Sequence, residues 1–196
     1  MQYALLGDIH SSKDDLIKVL AHIKVIAPNA VLVGTGDLYE CTISKKDITE
    51  HKFINLEEIM LMPDGFNELL TFSSVQGNQE ERILLVSETA DPLRERLAAM
   101  PEIIDIGDAQ IIHGHQWKWG GDPWALIDAE VNRSPVFYGH SHQPGLSING
   151  VRVKIEFDTP YLLEGHEVLV NVGAVVGNKE WALYDEEKNT VAFMRV

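Results

Sequence analysis

Cysteine is nearly absent from this chain of 196 residues. The single Cys41 cannot close an internal disulfide, which agrees with a reducing compartment and leaves the thiol without a visible catalytic partner. Long apolar runs are missing as well. None approaches the roughly 20 residues that span a bilayer, and the N-terminus lacks the basic region and apolar stretch of a signal peptide. These absences predict a cytoplasmic protein with no membrane partner. Positive charge is scarce, with 16 Lys and Arg against 30 Asp and Glu and a formal net charge of −14. That balance argues against long nucleic acid as a partner, because a phosphate backbone needs a basic face, and it leaves small substrates. No tract is of low complexity or reads as a linker. With 45% apolar and 23% charged residues, the composition is that of a globular protein whose length suits one domain and one core.

The apolar runs that are present end repeatedly in glycine and a polar side chain. Tyr3-Ala4-Leu5-Leu6 reads as a buried strand and stops at Gly7-Asp8-Ile9-His10, which puts Asp8 and His10 just past its carboxyl end. Ser12 with Asp15 resembles a capping box, and Leu16, Leu20, Ile23 and Ala27 recur at helical spacing until Pro28. His22 lies off that apolar stripe and reads as a solvated helix residue without a role. A second strand, Ala30-Val31-Leu32-Val33, ends in Gly34-Thr35-Gly36-Asp37. One strand-end aspartate is commonly a helix cap. Two in successive strand-helix units sit on one edge of a parallel sheet, where ligands bind in such folds. Between about 38 and 72 the pattern loosens into an expected insertion or cap, with two short helices near 56–60 and 66–70 broken at Pro63-Asp64-Gly65. His51, within it, reads as exposed.

Ser73-Ser74-Val75-Gln76 is a third short strand, ending at Gly77-Asn78-Gln79-Glu80. Helical material from about 81 to 100 precedes a hairpin, 102–106 and 109–112, joined through Gly107-Asp108 and ending in His113-Gly114-His115. A helix over about 122–133, with Pro123 suited to its first position, leads to Ser134-Pro135-Val136-Phe137-Tyr138, a strand that spills into Gly139-His140-Ser141-His142. In extended backbone, residues two apart point to one side, so His140 and His142 can converge on one volume. Further on, 146–155 reads as a hairpin turning at Asn149-Gly150, 168–172 as a strand, and 181–196 as a hairpin turning near 186–189. Strand-helix units followed by antiparallel strands predict an α/β protein, a four-layer α/β/β/α sandwich of two mixed sheets flanked by helices, in a single domain over 1–196.

Collected, the strand-end residues are Asp8, His10, Asp37, Asn78, His113, His140 and His142. A lone His-x-His is more often two hydrogen-bonded histidines in a polar turn, but two carboxylates, an amide and four imidazoles at successive strand ends form a ligand set. Mixed oxygen and nitrogen donors suit Mn²⁺, Fe²⁺, Zn²⁺ or Ni²⁺ rather than thiolate or all-oxygen Ca²⁺ chemistry. Seven ligands exceed one ion. A shared carboxylate allows two metals ~3.5 to 4 Å apart, the arrangement that activates water and clamps a phosphoryl group for in-line displacement.

In the order Asp-x-His, Gly-Asp, Gly-Asn, His-Gly-His and Gly-His-x-His, matched from Asp8 to His142, the sequence resembles the calcineurin-like metallophosphoesterase superfamily, especially its small single-domain bacterial and archaeal phosphodiesterases. The resemblance implies Asp8, His10, Asp37 and His142 around one metal and Asp37, Asn78, His113 and His140 around the other, with Asp37 bridging. It implies the same four-layer sandwich, with Asn171-Val172-Gly173-Ala174 as the strand after the sheet reversal, and it leaves His115 near the metals rather than on them. The implied activity is hydrolysis of a small phosphate ester, foremost a phosphodiester, by a metal-activated hydroxide. The family usually carries a histidine after the Asn, placed to stabilise the substrate phosphate and help protonate the leaving group; here the residue is Gln79. Glutamine donates a hydrogen bond but no proton, so acid assistance worth roughly 10² to 10⁴ in rate is lost unless His115 supplies it. The catalytic expectation therefore rests on Asp37, Asn78, Gln79 and His115.

A second reading keeps the fold without the chemistry, as a catalytically weak or inactive scaffold or binding protein, and Gln79 is its support. The stretch Gln116-Trp117-Lys118-Trp119-Gly120-Gly121-Asp122-Pro123-Trp124 concentrates three of the four tryptophans. Its rings suit the base of a nucleotide-like phosphoester, the covering of a sheet edge, or a subunit contact in a homo-oligomer.

Overall fold

Strand β1 (Gln2–Leu6) sends Ala4 and Leu6 to one side and Leu5 to the other, and all three are fully buried. Such a strand must be covered on both faces. The computed structural model describes residues 1–48, 52–119, 126–127 and 133–196 and shows what covers it. Ala4 and Leu6 pack with Leu16, Val19 and Ile23 of helix α1 (Lys13–Ile26), Ile83 and Val86 of α2 (Asn78–Val86), and Leu97 of α3 (Pro92–Ala98). Leu5 belongs to a separate cluster with Ile111, Phe137 and Val170 of a second sheet. On the far face of that sheet, Ile112, Val136, Tyr138 and Leu169 pack against Trp117 and Trp119. Three apolar seams therefore separate the layers, and neighbouring residues such as Val136 and Phe137 fall on opposite sides of one strand.

The first sheet runs Pro160–Leu162, Thr190–Arg195, Glu180–Asp185, β1, β2 (Val31–Gly34), Ser73–Ser74. The second runs Val151–Val153, Gly145–Ile148, Val168–Asn171, Val136–Tyr138, Ala109–Ile112, Ile103–Ile106. Both are mixed: β1 is parallel to β2 and antiparallel to Glu180–Asp185, while Val136–Tyr138 is parallel to both of its neighbours. This is the α/β architecture of two mixed sheets expected from the sequence. Its parallel strands deliver Asp8 and Asp37 from one sheet, and His113 and His140 from the other, at their carboxyl ends.

Local details depart from expectation. Residues 56–60 and 66–70 form no α-helices; Leu56–Glu58 and Asn67–Leu69 are 3₁₀ turns, and Glu40–Cys41 pairs antiparallel with Met60–Leu61. These apolar clusters are too short to propagate a helix and take their shape from packing of Leu56, Ile59, Met60 and Phe66 into the first core. Helical material from 81 to 100 splits in two, because Asp91 caps α3 by accepting from the Leu93 amide and Pro92 opens it. The strand expected over 73–76 pairs only through Ser73 and Ser74. Ser12 makes no backbone cap; its hydroxyl donates to Asp15 Oδ2 at 2.9 Å. His22 is not a solvated bystander, since its Nδ1 accepts from Nε1 of the buried Trp181 at 3.2 Å. Of the helix expected over 122–133, Leu126–Ile127 is instead a strand paired with Lys118–Trp119. The rest of that segment except Arg133, together with His51, lies outside the described residues. The turn at Asn149-Gly150 has φ values of 52° and 76°, the left-handed pair that closes a two-residue hairpin. Among the described residues no helix is long and apolar enough to cross a membrane.

Candidate metal centre

Five of the seven strand-end residues carry left-handed backbone: φ is 48° at Asp8 and His10, 51° at Asp37, 68° at His140 and 58° at His142. Each such conformation costs an L-residue about 1 to 3 kcal/mol, so neighbouring contacts must enforce it. The loop after β1 is pinned to the loop after β2: the amides of Asp8, Ile9 and His10 donate to the carbonyls of Gly36, Asp37 and Asp37 at 3.0, 2.8 and 3.0 Å. Asp8 in turn accepts from the His140 amide at 2.9 Å, and the Asn171 amide group donates to Gly139 O and Ser141 Oγ. Glycine is required where these loops touch. A Cβ on Gly139 would meet Asp8 Oδ2 at 2.5 Å, and one on Gly77 would meet Asp37 Oδ1 at 2.2 Å.

The result is two groups of ligand-type atoms. Those of Asp8, His10 and His142 lie within 4.8 Å of one another, and so do those of Asp37, His113 and His140. His142 Nε2 is 3.3 Å from Asp8 Oδ1 and 3.1 Å from His10 Nε2. Asp37 Oδ2 faces both groups, 3.7 Å from His10 Nε2 and 3.3 Å from His113 Nε2. Asn78 Oδ1 stands beside the second group, 3.2 Å from His113 Nε2. All seven side chains singled out in the sequence thus gather at one place.

Contacts behind these side chains fix their aim. His113 Nδ1 donates to Thr35 O at 2.7 Å, and His10 Nδ1 is hydrogen-bonded to the Glu40 carboxylate. A ring that donates from Nδ1 presents the Nε2 lone pair forward, the usual support of a metal-bound histidine. The fully buried Glu80 accepts from three backbone amides: Asp37 at 3.0 Å, Gly77 at 2.9 Å and Tyr39 at 3.1 Å. Sequence reasoning assigned nothing to Glu40 or Glu80, and only the neighbourhood of Glu80 to the Gly-Asn motif could have drawn attention to it. Gln79 donates its backbone amide to Asp37 Oδ1 at 2.8 Å, while its side-chain Oε1 accepts from the Cys41 amide at 3.1 Å. His115 lies with its ring centre 5.2 Å from that of His113. The Glu81 carboxylate approaches its Nε2 to 2.8 Å without hydrogen-bond alignment, and its Nδ1 has no partner.

Charge is unevenly distributed here. Burial would raise the Asp37 carboxyl, but His113, the Gln79 amide and His10 overcome it and hold it at about 2. Burial would likewise lower His113, yet Asp37, Asp8 and the Thr35 carbonyl push it up to about 9. Burial and the neighbouring His113 charge lower His140 to about 4, burial lowers His115, and a hydrogen bond to Asp8 raises His142. A buried imidazole that keeps its proton so strongly marks a site that calls for positive charge. Oxygen and imidazole donors without thiolate fit a divalent cation.

Trp117 and Trp119 sit over Tyr138, with ring centres 5.1 and 6.1 Å away, and Trp119 Nε1 donates to Gly114 O at 2.9 Å. Both rings cover the outer face of the second sheet, and Trp119 reaches within 5.5 Å of the His140 ring. Trp124 lies outside the described residues.

The solved metallophosphoesterase from Sphaerobacter thermophilus shares the fold, with a TM-score of 0.63 at 16% identity over 100% of this chain and 88% of that one. Yfce, a phosphoesterase from E. coli, gives 0.51 at 17% identity over 99% and 98%. At such identities the likeness is one of fold. No curated protein matches the sequence significantly. The sequence profile described as a calcineurin-like phosphoesterase superfamily domain, however, matches residues 1–194. A match of that extent, running through every strand end that feeds this centre, means that the chain belongs to the calcineurin-like phosphoesterase superfamily.

Proposed function

We propose that the chain hydrolyses a small phosphoester, a diester in preference to a monoester, at a centre of two divalent ions. Asp8, His10, Asp37 and His142 hold one ion, and Asp37, Asn78, His113 and His140 the other. The observation that carries this reading is the Asp37 carboxylate, with one oxygen turned to His10 at 3.7 Å and to His113 at 3.3 Å. Ions of the Mn²⁺, Fe²⁺, Zn²⁺ or Ni²⁺ type, when bound, supply a water of lowered pKa and positive charge for the phosphoryl oxygens. Asp37 stays ionised at any working pH, because its carboxyl is held at about 2. Asn78 contributes an oxygen that never titrates and keeps an NH₂ group to donate to the substrate. A cavity of about 330 Å³ beside Asn78 and His140 leaves room for a second ester arm, which favours a diester.

Proton delivery is the weak step. Gln79 has no proton to give, and its Oε1 is committed to Cys41. Among the described residues His115 is the nearest imidazole without a ligand role, but burial lowers its pKa, so at neutral pH it is mostly uncharged and a poor acid. Esters with nitrophenolate leaving groups, which depart without a proton, are the natural first test. Protein loaded with Mn²⁺ should bind two ions per chain and release nitrophenol steadily from bis(p-nitrophenyl) phosphate until a chelator is added. Saturation at one ion would remove the shared carboxylate from the account. Two ions without turnover of any ester would favour the scaffold reading, which rests on Gln79.

The same charges predict a pH dependence. His113 is raised from 6.5 to about 9, so the folded chain holds this proton more tightly than the unfolded one. The stabilisation is complete below pH 6.5 and disappears as pH climbs through about 9. Protein stripped of divalent ions should therefore melt at falling temperature across this window. With ions loaded in place of the proton, the decline should vanish and binding should release protons. Melting curves of both forms at stepped pH decide it; parallel trends would refute the assignment of His113.

A further inference from the structure

The cavity beside the centre differs in character from the centre itself. Its wall near Asn78 and His140 continues into Lys45 and Arg82, two positive charges, and into Ile48 and Leu85, an apolar face. Asn78, Arg82 and Leu85 stand at positions i, i+4 and i+7 of α2, so one helix face carries all three. The other stripe of that helix, Gln79, Ile83 and Val86, is buried in the body. Gln79 therefore leaves the cavity wall to its neighbours.

Among the described residues Arg82 makes one side-chain hydrogen bond, from Nη1 to Ile43 O at 3.4 Å, and its buried Nε has no partner. Among the described residues no carboxylate forms an ion pair with Arg82 or Lys45, although acidic residues outnumber basic ones by 30 to 16. Among the described residues the one carboxylate on the wall, Glu81, lies against His115. An Arg and a Lys on the wall of one cavity suit a phosphate, which the planar fork of Arg can take in bidentate fashion. The volume lies at the lower end of the roughly 300 to 1,000 Å³ typical of ligand pockets, enough for a sugar with its base.

We propose that this cavity is a specificity subsite for the non-departing arm of the substrate, and that this arm is a nucleoside bearing a further phosphate. The phosphate lies on Lys45 and Arg82 and the nucleoside against Ile48 and Leu85. The inference rests on the phosphoesterase reading above and names the substrate class of the same site.

Thymidine 5′-(p-nitrophenyl phosphate), with and without a 3′-phosphate, tests it, because both esters share one leaving group. The wild type should favour the 3′-phosphorylated ester in kcat/KM by on the order of tenfold. That ratio should fall toward one in Arg82→Gln and in Lys45→Ala, recover in part in Arg82→Lys, and shrink with added salt. Calorimetry of thymidine 3′,5′-bisphosphate binding to protein freed of divalent ions gives a second readout, weakened by the same substitutions. A wild-type ratio of one, or a preference untouched by the variants, would overturn the subsite. If neither ester is turned over while the bisphosphate still binds through Arg82, the subsite stands and the phosphoesterase reading falls. Should Arg82→Gln not fold, the exposed Lys45→Ala carries the comparison.

Discussion

Exchange of Asp37 for asparagine should lower kcat by on the order of 10³ or more and should disturb both ions at once. The substitution keeps size and one oxygen, so the fold has little to absorb. It removes a charge that two groups of ligands face, and it risks turning an NH₂ group toward the imidazoles of His10 and His113, which lie 3.7 and 3.3 Å from Oδ2. Several kcal/mol of transition-state charge stabilisation depend on a metal centre of this kind, and each 1.36 kcal/mol is a factor of about ten. Single-site controls give the comparison: alanine at Asp8 should weaken mainly the ion shared with His10 and His142, and alanine at Asn78 the other. Metal content by mass spectrometry, read beside turnover of bis(p-nitrophenyl) phosphate, checks the assignment. An Asp37→Asn protein that keeps both ions, or loses only one, would show that the carboxylate is not shared.

The second large effect concerns stability. Glu80→Ala should lower the melting temperature by roughly 10 °C, taking about 2 to 4 °C per kcal/mol for a chain of this size. The carboxylate is fully buried and accepts from the amides of Asp37, Gly77 and Tyr39, so its removal orphans three buried donors at roughly 1 to 3 kcal/mol each. Some of that loss is offset. Burial and the nearby Asp37 charge push Glu80 up to about 7, which means that its ionised form is itself disfavoured. Glu80→Gln should fall between wild type and alanine, because one amide oxygen still accepts while the NH₂ group meets a donor. Calorimetric melting of the three proteins decides the matter, and an alanine variant that melts within about 2 °C of wild type would mean that the three amides find water or other acceptors.

The centre was more legible than the segments around it, for a physical reason. Asp8, Asp37, His113 and His140 each follow directly on a short apolar strand, so their place is set within a few residues of sequence. Alternation along β1 parts Ala4 and Leu6, which meet the helices, from Leu5, which meets the opposite sheet, and along Val136–Tyr138 it parts Phe137 from the two residues that meet the tryptophans. What stayed hidden depends on partners distant in the chain. The stretch from 38 to 72 takes 3₁₀ turns and a two-residue pairing from contacts with α2 and the first sheet, and periodicity carries none of that. His22 meets Trp181 across 159 positions. Gln79 read as a gap in the catalytic set, yet its side chain holds the Cys41 backbone. The cavity at Lys45 and Arg82 exists because the residues after Cys41 fold against α2, a juxtaposition without any signature in either segment alone.

Each ligand group is divided between the two sheets. Asp8 and His10 follow β1 and meet His142 from beyond Val136–Tyr138; Asp37 follows β2 and meets His113 and His140 from the second sheet. Hydrogen bonds that cross between the sheets, from His113 Nδ1 to Thr35 O and from the His140 amide to Asp8, lie at this same edge, while the contact of side chains such as Leu5, Val33, Phe137 and Val170 has no direction of its own. An ion held by either group would therefore act as a clasp on the open edge of a two-leaved body, and by linkage the clasp and the leaves would share one free energy. Trimming a ring deep between the leaves, far from any ligand, should loosen the grip on such an ion, while a bound ion should conceal packing defects that the bare chain would reveal.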